Sequence, residues 1–192
     1  MPAPQSQQQE LRALLNRGFD LLEKGDIRAA AACCQQAIRI KPDLVQAHFL
    51  VGLVALEAKD RKNAFSAFGS VTKLDPAHAA AWAHLAKLYM GEGQVNLADM
   101  ALREARKVLS EDPMVNDLLG TVASLMGEYD DARRLYERAT GKAPRHTPFL
   151  QNLANNLVYH GLISEAQGIF EKIISLQPES PQAHWSLSAV PG

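Results

Sequence analysis

The sequence lacks the features by which several classes of protein are recognised. Its only cysteines, Cys33 and Cys34, are neighbours, and because adjacent side chains diverge in a helix they cannot form a disulfide with each other. We therefore expect reduced core thiols, as in a reducing compartment. Neither sign of charge dominates, since 20 basic and 21 acidic residues leave a net charge of -1 without a block of like charge. This balance argues against an electrostatic nucleic-acid or anionic-membrane binder.

Long apolar runs and targeting signals are also missing. No run approaches the roughly 20 apolar residues that a transmembrane helix needs. The first ten residues, MPAPQSQQQE, have neither the basic nor the apolar region of a signal peptide. The sequence therefore predicts a cytoplasmic protein that does not insert into membranes.

Motifs that carry chemistry are missing as well. The patterns GxSxG, HExxH, GxGxxG and the phosphate-binding loop do not occur in the sequence. The six histidines lack the i, i+4 pairing of a helical metal site. We expect no catalytic residue, no metal site, no cofactor and no enzymatic activity.

What the sequence does contain is a repeat. The stretch from Pro113 to Pro144 consists of two helical periods separated at Met126-Gly127-Glu128, which predicts an antiparallel helix hairpin. Shifting this stretch by 34 residues in either direction finds the pattern again. The predicted organisation is a flexible lead-in at 1–10, five repeats at 11–44, 45–78, 79–112, 113–146 and 147–180, and a partial sixth repeat or capping helix at 181–192.

Four repeat positions show why the pattern recurs. Small residues at positions 8 and 20 predict a close approach of the two helices of a hairpin, and bulky residues at position 24 predict packing between hairpins. Proline at position 32 predicts the end of the second helix. In the third repeat Ser110 replaces this proline, so we expect that helix to continue slightly beyond Leu109 and Asp112-Pro113 to start the next one. In the fourth repeat these positions hold Gly120, Ala132, Tyr136 and Pro144.

These columns resemble the tetratricopeptide repeat (TPR) family from Leu11 to Ser188. The matching residues of the two best repeats are Trp82, Leu85, Tyr89, Ala98 and Ala105, then Leu119, Gly120, Ala132, Tyr136, Ala139 and Pro144. Lys59 departs from the pattern, because the other repeats have a turn glycine there. The resemblance implies an all-α, right-handed superhelical solenoid of antiparallel helix pairs, with five 34-residue repeats and a terminal half-repeat.

The resemblance also implies that positions 2, 5, 9, 12 and 13 of each first helix line a concave face. In the first two repeats these positions are apolar, which favours a groove for an amphipathic helix or apolar peptide. The same side chains could instead close over each other or over the lead-in, or could join two copies of the chain. The candidate residues are Leu15, Phe19, Leu22, Phe49, Leu53 and Leu56.

The later repeats place polar side chains, together with Met90, in or beside the same columns. Amide side chains donate and accept hydrogen bonds, so they can pair with the backbone of an extended peptide. A clamp for a C-terminal carboxylate is not expected, because the fifth position of the repeats never holds lysine. The candidate residues are Lys87, Met90, Asp117, Thr121, Gln151, Asn152, Asn155 and Tyr159.

The sequence thus predicts a non-catalytic scaffold whose partner is a protein or peptide. Two alternatives stay open. The chain could be the N-terminal accessory array of a larger enzyme, because the ending AHWSLS resembles the junction before a sulfotransferase-like domain in bacterial TPR proteins. It could also be a self-assembling structural protein or homodimer that uses its apolar groove.

Overall fold

A computed structural model describes residues 4–108 and 111–189, and these residues form an all-α fold. This confirms the predicted fold class, and no strand occurs within those two ranges. The helices are α1 (Pro4–Glu23), α2 (Ile27–Ile40), α3 (Val45–Glu57), α4 (Arg61–Leu74), α5 (Ala79–Gly91), α6 (Val95–Lys107), α7 (Pro113–Leu125), α8 (Tyr129–Lys142), α9 (Thr147–Tyr159), α10 (Ile163–Leu176) and α11 (Pro181–Ala189).

The turns between paired helices repeat as regularly as the helices do. Each contains a residue with a positive φ, and in four of the five this residue is glycine. The exception is Lys59, whose φ of 58° is a backbone conformation that residues with a Cβ atom adopt only at a cost in free energy. The turn residues are Gly25, Lys59, Gly93, Gly127 and Gly161.

Helix α1 begins at Pro4, within the lead-in predicted at 1–10, because proline fits a first helical turn and the following glutamines are good helix formers. Helix α6 does not run long: it ends at Lys107, and Val108 turns to an extended conformation. The predicted extension past Leu109 is therefore wrong, and residues 109 and 110 themselves lie outside the described ranges. Asp112 does start α7, since its side chain accepts a hydrogen bond from Met114 N at 2.8 Å.

The chain divides into two compact units, Met1–Leu88 and Tyr89–Gly192, called here the first and second unit. In the first unit α1 packs against α2 and α3 against α4, with α2 also contacting α3. Its core includes Cys34, Leu50 and Val54, and Leu11 packs with Ala37 and Ala47. In the second unit α7 packs against α8 and α9 against α10, with α8 also contacting α9. The boundary falls within α5.

The small residues at position 8 make room for the bulky residues at position 24 of the same hairpin. A Cβ atom added to Gly52 would lie 2.5 Å from Phe68 Cε1, and one added to Gly120 would lie 2.8 Å from Tyr136 Cε1. The Phe68 side chain is fully buried. In these two hairpins the bulky side chain at position 24 therefore lies against the glycine at position 8 of the same hairpin, and it is also part of the core.

Polar rings at position 4 connect first helices to the end of the preceding repeat. Trp82 Nε1 donates a hydrogen bond to the carbonyl of Pro76 at 2.9 Å. The ring Nε2 of His48 bonds the carbonyl of Pro42 at 2.7 Å, so this nitrogen carries the proton. His184 makes the equivalent bond to Pro178 at 2.8 Å. These two histidines are structural substitutes for tryptophan, a role that their sequence spacing did not reveal.

Candidate protein-binding surfaces

A cavity of about 550 Å³ in the first unit brings together four of the predicted binding residues. Leu22 comes from α1, Leu53 and Leu56 from α3, and Lys87 from α5. Leucines 53 and 56 lie one turn apart on α3 and are both half-buried, so they present apolar surface to the cavity. We call this cavity the apolar groove; its lining is Leu22, Leu53, Leu56, Glu57, Lys59, Arg61, His84, Lys87 and Leu88.

The other apolar candidates of the first two repeats are occupied by internal packing. Leu15 and Phe19 are half-buried against the core residues Leu50 and Val54. The Phe49 ring contacts three other rings, at centroid distances of 5.7 Å from Phe68, 4.7 Å from His78 and 5.9 Å from His84. These contacts are with other residues of the first unit, and none of them joins Leu15, Phe19 and Phe49 to one another.

His84 links the aromatic cluster to the apolar groove. Its ring stacks on Phe68 with centroids 4.7 Å apart and planes 5° from parallel, and it also lines the groove. The pKa of His84 is lowered from 6.5 to about 4, first by burial and then by the positive charge of Lys87 and the proximity of His78. At neutral pH the imidazole is therefore uncharged. The sequence could not indicate this cluster, because its members come from three helices.

In the second unit, the predicted polar residues bond largely to each other. Asn152 Nδ2 donates to both carboxylate oxygens of Asp117, at 2.9 and 3.1 Å, which connects α7 with α9. Gln151 Nε2 donates to Asn155 Oδ1 at 3.0 Å. Thr121 Oγ1 donates to the carbonyl of Asp117 at 3.0 Å. These internal hydrogen bonds occupy donors and acceptors that the sequence analysis assigned to a bound peptide.

Two of the predicted polar residues of the second unit are accessible. Asn155 is exposed, and the Tyr159 side chain is 73% exposed with its ring stacked beside Tyr129 at a centroid distance of 6.4 Å. A second cavity of about 410 Å³ has Gln151 and Asn152 in its lining. Met90, in the last turn of α5, is half-buried. The accessible part of this surface is therefore centred on α9.

Helix α9 contains a buried amide beside the predicted polar residues. Asn156 is 1% exposed, and neither its Nδ2 nor its Oδ1 has a hydrogen-bond partner in the described part of the chain. In the second, third and fourth repeats the same position holds Val54, Leu88 and Val122, which are all buried. A comparison of this column across repeats is the signal that could have identified it. Burying an amide without hydrogen bonds is unfavourable, so this position costs stability.

Replacing Asn156 with leucine, which has the same number and branching of side-chain heavy atoms, is expected to stabilise the protein by about 1–2 kcal/mol because the unsatisfied amide is removed. Urea unfolding followed by circular dichroism measures the change. The matched control is Asn116→Leu, because Asn116 is also buried but its Nδ2 donates to the carbonyl of Asp112 at 2.9 Å. That variant should lose about 1 kcal/mol. Equal destabilisation by both substitutions would contradict the prediction.

Helix hairpins stacked on a 34-residue period define a helical-repeat protein, and the family comparison agrees. Tetratricopeptide repeat models match residues 15–70, 55–121 and 124–189. The chain belongs to the tetratricopeptide repeat family, whose members are typically non-catalytic scaffolds that bind other proteins. This confirms the resemblance seen in the sequence.

Individual relatives share the fold over most of the chain but little sequence. Tetratricopeptide repeat protein 7B of Homo sapiens is 32% identical over 112 residues, which is 56% of this chain and 13% of that protein. A TPR protein of Thermus thermophilus has a TM-score of 0.75 at 18% identity, covering 94% of this chain and 98% of that one. YrrB, described as a TPR protein with an unusual peptide-binding site, has a TM-score of 0.63 at 19% identity, covering 91% and 90%.

The chain spans between 13% and 38% of the length of three curated relatives that it matches. Within the described ranges, none of the helices combines the length and the apolar character needed to cross a bilayer. The same residues contain no group of three or more His, Cys, Asp or Glu side chains arranged to hold a metal ion.

Proposed function

We propose that this chain is a scaffold that holds an amphipathic helix or apolar peptide of another protein in the apolar groove of its first unit. The observation that carries the proposal is the convergence of Leu22, Leu53 and Leu56 on a cavity of about 550 Å³. Two turns of an amphipathic helix present three or four apolar side chains on one face, and a cavity of this size accommodates them. The structural neighbour with a peptide-binding site supports the same mode of action.

Accessible residues of α9 form a second proposed contact. Asn155 and Tyr159 are exposed, and a solvent-exposed tyrosine ring is a common anchor at protein interfaces. Asn152 and Asp117 would act indirectly, because their mutual hydrogen bonds hold α9 against α7. Homodimerisation and a following sulfotransferase-like domain stay predictions.

The test of the groove is partner capture by Leu53→Asp, measured by quantitative pull-down and mass spectrometry. A carboxylate on the groove floor should weaken binding about thirtyfold, the effect of losing a 2 kcal/mol anchor. The matched control is Leu74→Asp, because Leu74 is a 43% exposed leucine of the same unit that does not line the groove. Circular dichroism confirms that both variants are folded. If Leu53→Asp captures the same proteins in the same amounts as the unmodified chain, the apolar groove is the wrong surface.

A further inference from the structure

The rim of the apolar groove carries an excess of positive charge. Three basic residues, Lys59, Arg61 and Lys87, line it together with one acidic residue, Glu57. The whole chain has a net charge of only -1, so this local excess is not a reflection of composition. Above an apolar floor, a rim of one sign selects partners of the opposite sign.

These charges are brought together by tertiary structure. Lys59 lies in the turn between α3 and α4, Arg61 is the first residue of α4, and Lys87 lies in α5. Neither Lys59 nor Lys87 has an ion pair with a carboxylate in the part of the chain that the structure describes.

The nearest carboxylate in the sequence does not neutralise this rim. Asp60 caps α4, and its side chain accepts hydrogen bonds from Asn63 N at 3.1 Å and from Asn63 Nδ2 at 2.6 Å. It lines a different cavity, of about 440 Å³, whose other residues include Cys34 and Val51. At the turn between α3 and α4, Lys59 and Arg61 thus line the apolar groove, whereas Asp60 lines the other cavity.

We infer that the segment held in the apolar groove is an acidic amphipathic helix of a partner protein. Its apolar side chains would lie on Leu22, Leu53 and Leu56, and its flanking Asp or Glu side chains would pair with Lys59 and Lys87. This inference rests on the proposed function and specifies the chemistry of the ligand. The rim charges lie at the edge of the cavity, so they increase selectivity and association rate more than affinity.

The test is selection of a display library of random peptides, each long enough for four helical turns, on the purified chain. We expect the enriched peptides to combine Leu, Ile or Phe at helical spacing with an excess of Asp and Glu. Their labelled versions should bind the double variant Lys59→Glu, Lys87→Glu about tenfold more weakly by fluorescence anisotropy. The control is Lys41→Glu, Lys73→Glu, which makes the same change in charge at exposed residues of the same unit outside the groove. This control should bind within about twofold of the unmodified chain.

Each outcome of the selection separates the inference from the proposed function. The selected peptides could require Leu53 but be neutral or basic, and could bind the Lys59→Glu, Lys87→Glu variant as tightly as the unmodified chain. This result would overturn the inference of an acidic partner but would leave the proposed binding in the apolar groove standing. Peptides that bind Leu53→Asp unchanged, or a selection without enrichment, would overturn both. A dimer seen by light scattering that dissociates on Leu53→Asp would show that a second copy occupies the groove, which also overturns the inference.

His84 provides a second readout at the groove itself. A carboxylate bound beside Lys87 favours the charged form of the imidazole, so the pKa of His84 should rise from about 4 when the acidic peptide is bound. The same peptide with each Glu replaced by Gln should not raise this pKa, because it adds burial but no charge. The imidazole carbon shift of His84, assigned with the His84→Phe variant, reports the titration by NMR. An equal rise with both peptides would contradict a contact between carboxylate and rim.

Discussion

Replacing Gly52 with alanine is expected to destabilise the protein by about 2–3 kcal/mol, which is a large part of the stability of a small repeat unit. The new methyl group would lie 2.5–2.8 Å from three atoms of the Phe68 ring. This ring is fully buried and is held between Phe49 and His84, so it cannot move away without disturbing both contacts. Thermal and urea unfolding measure the loss.

The control for this prediction is Gly69→Ala in α4. A Cβ atom added to Gly69 meets no atom within 4 Å, so the substitution should stabilise the helix by about 0.5–1 kcal/mol through reduced backbone entropy of the unfolded chain. Opposite signs for the two variants would show that ring contact, and not helix propensity, dominates at Gly52. Stabilisation by both substitutions would mean that the hairpin tolerates a wider separation of α3 and α4.

Acid is expected to destabilise the protein through His84, by about 3 kcal/mol in total. The pKa of His84 is about 4 in the folded chain, below its ordinary value of 6.5, because the imidazole is buried and lies near Lys87 and His78. The unfolded chain therefore takes up this proton first as the pH falls. Stability from this group is complete above pH 6.5, decreases between pH 6.5 and about 4, and changes no further below that range.

The measurement is the free energy of unfolding as a function of pH for the unmodified chain and for His84→Phe. Phenylalanine keeps the stack on Phe68 but has no proton to bind, so this component of the acid sensitivity should vanish. His48 and His78 are present in both proteins, and their contributions cancel in the difference. Parallel pH profiles for the two proteins would contradict the assignment to His84.

Much of the fold was predictable because repeat proteins depend on contacts that are local in sequence. The 34-residue period predicts two helices per repeat, and the structure starts α3, α5, α7, α9 and α11 at that interval. Capping at Asp112 follows from one residue and its proline neighbour. The predicted end of α6 was wrong, because Val108 takes an extended conformation and the helix ends at Lys107.

The candidate site was less predictable, because side chains of distant residues decide which positions stay accessible. Leu22, Leu53, Leu56 and Lys87 do share a cavity, whereas Phe49 packs against other rings. Asn152 is hydrogen-bonded to Asp117, which lies 35 positions earlier in the chain. The sequence columns place residues on a face of a helix but do not show which neighbours cover them.

By itself, the sequence determined the family, the all-α fold and the spacing of the helices, because apolar periodicity, small residues and turn glycines act over a few residues at a time. Only the tertiary structure decided how Lys59, Arg61 and Lys87 meet above the leucines of the apolar groove, and why His84 stays uncharged. Those properties depend on burial and on distances between different helices. Both are consequences of packing, which single residues and their spacing do not specify.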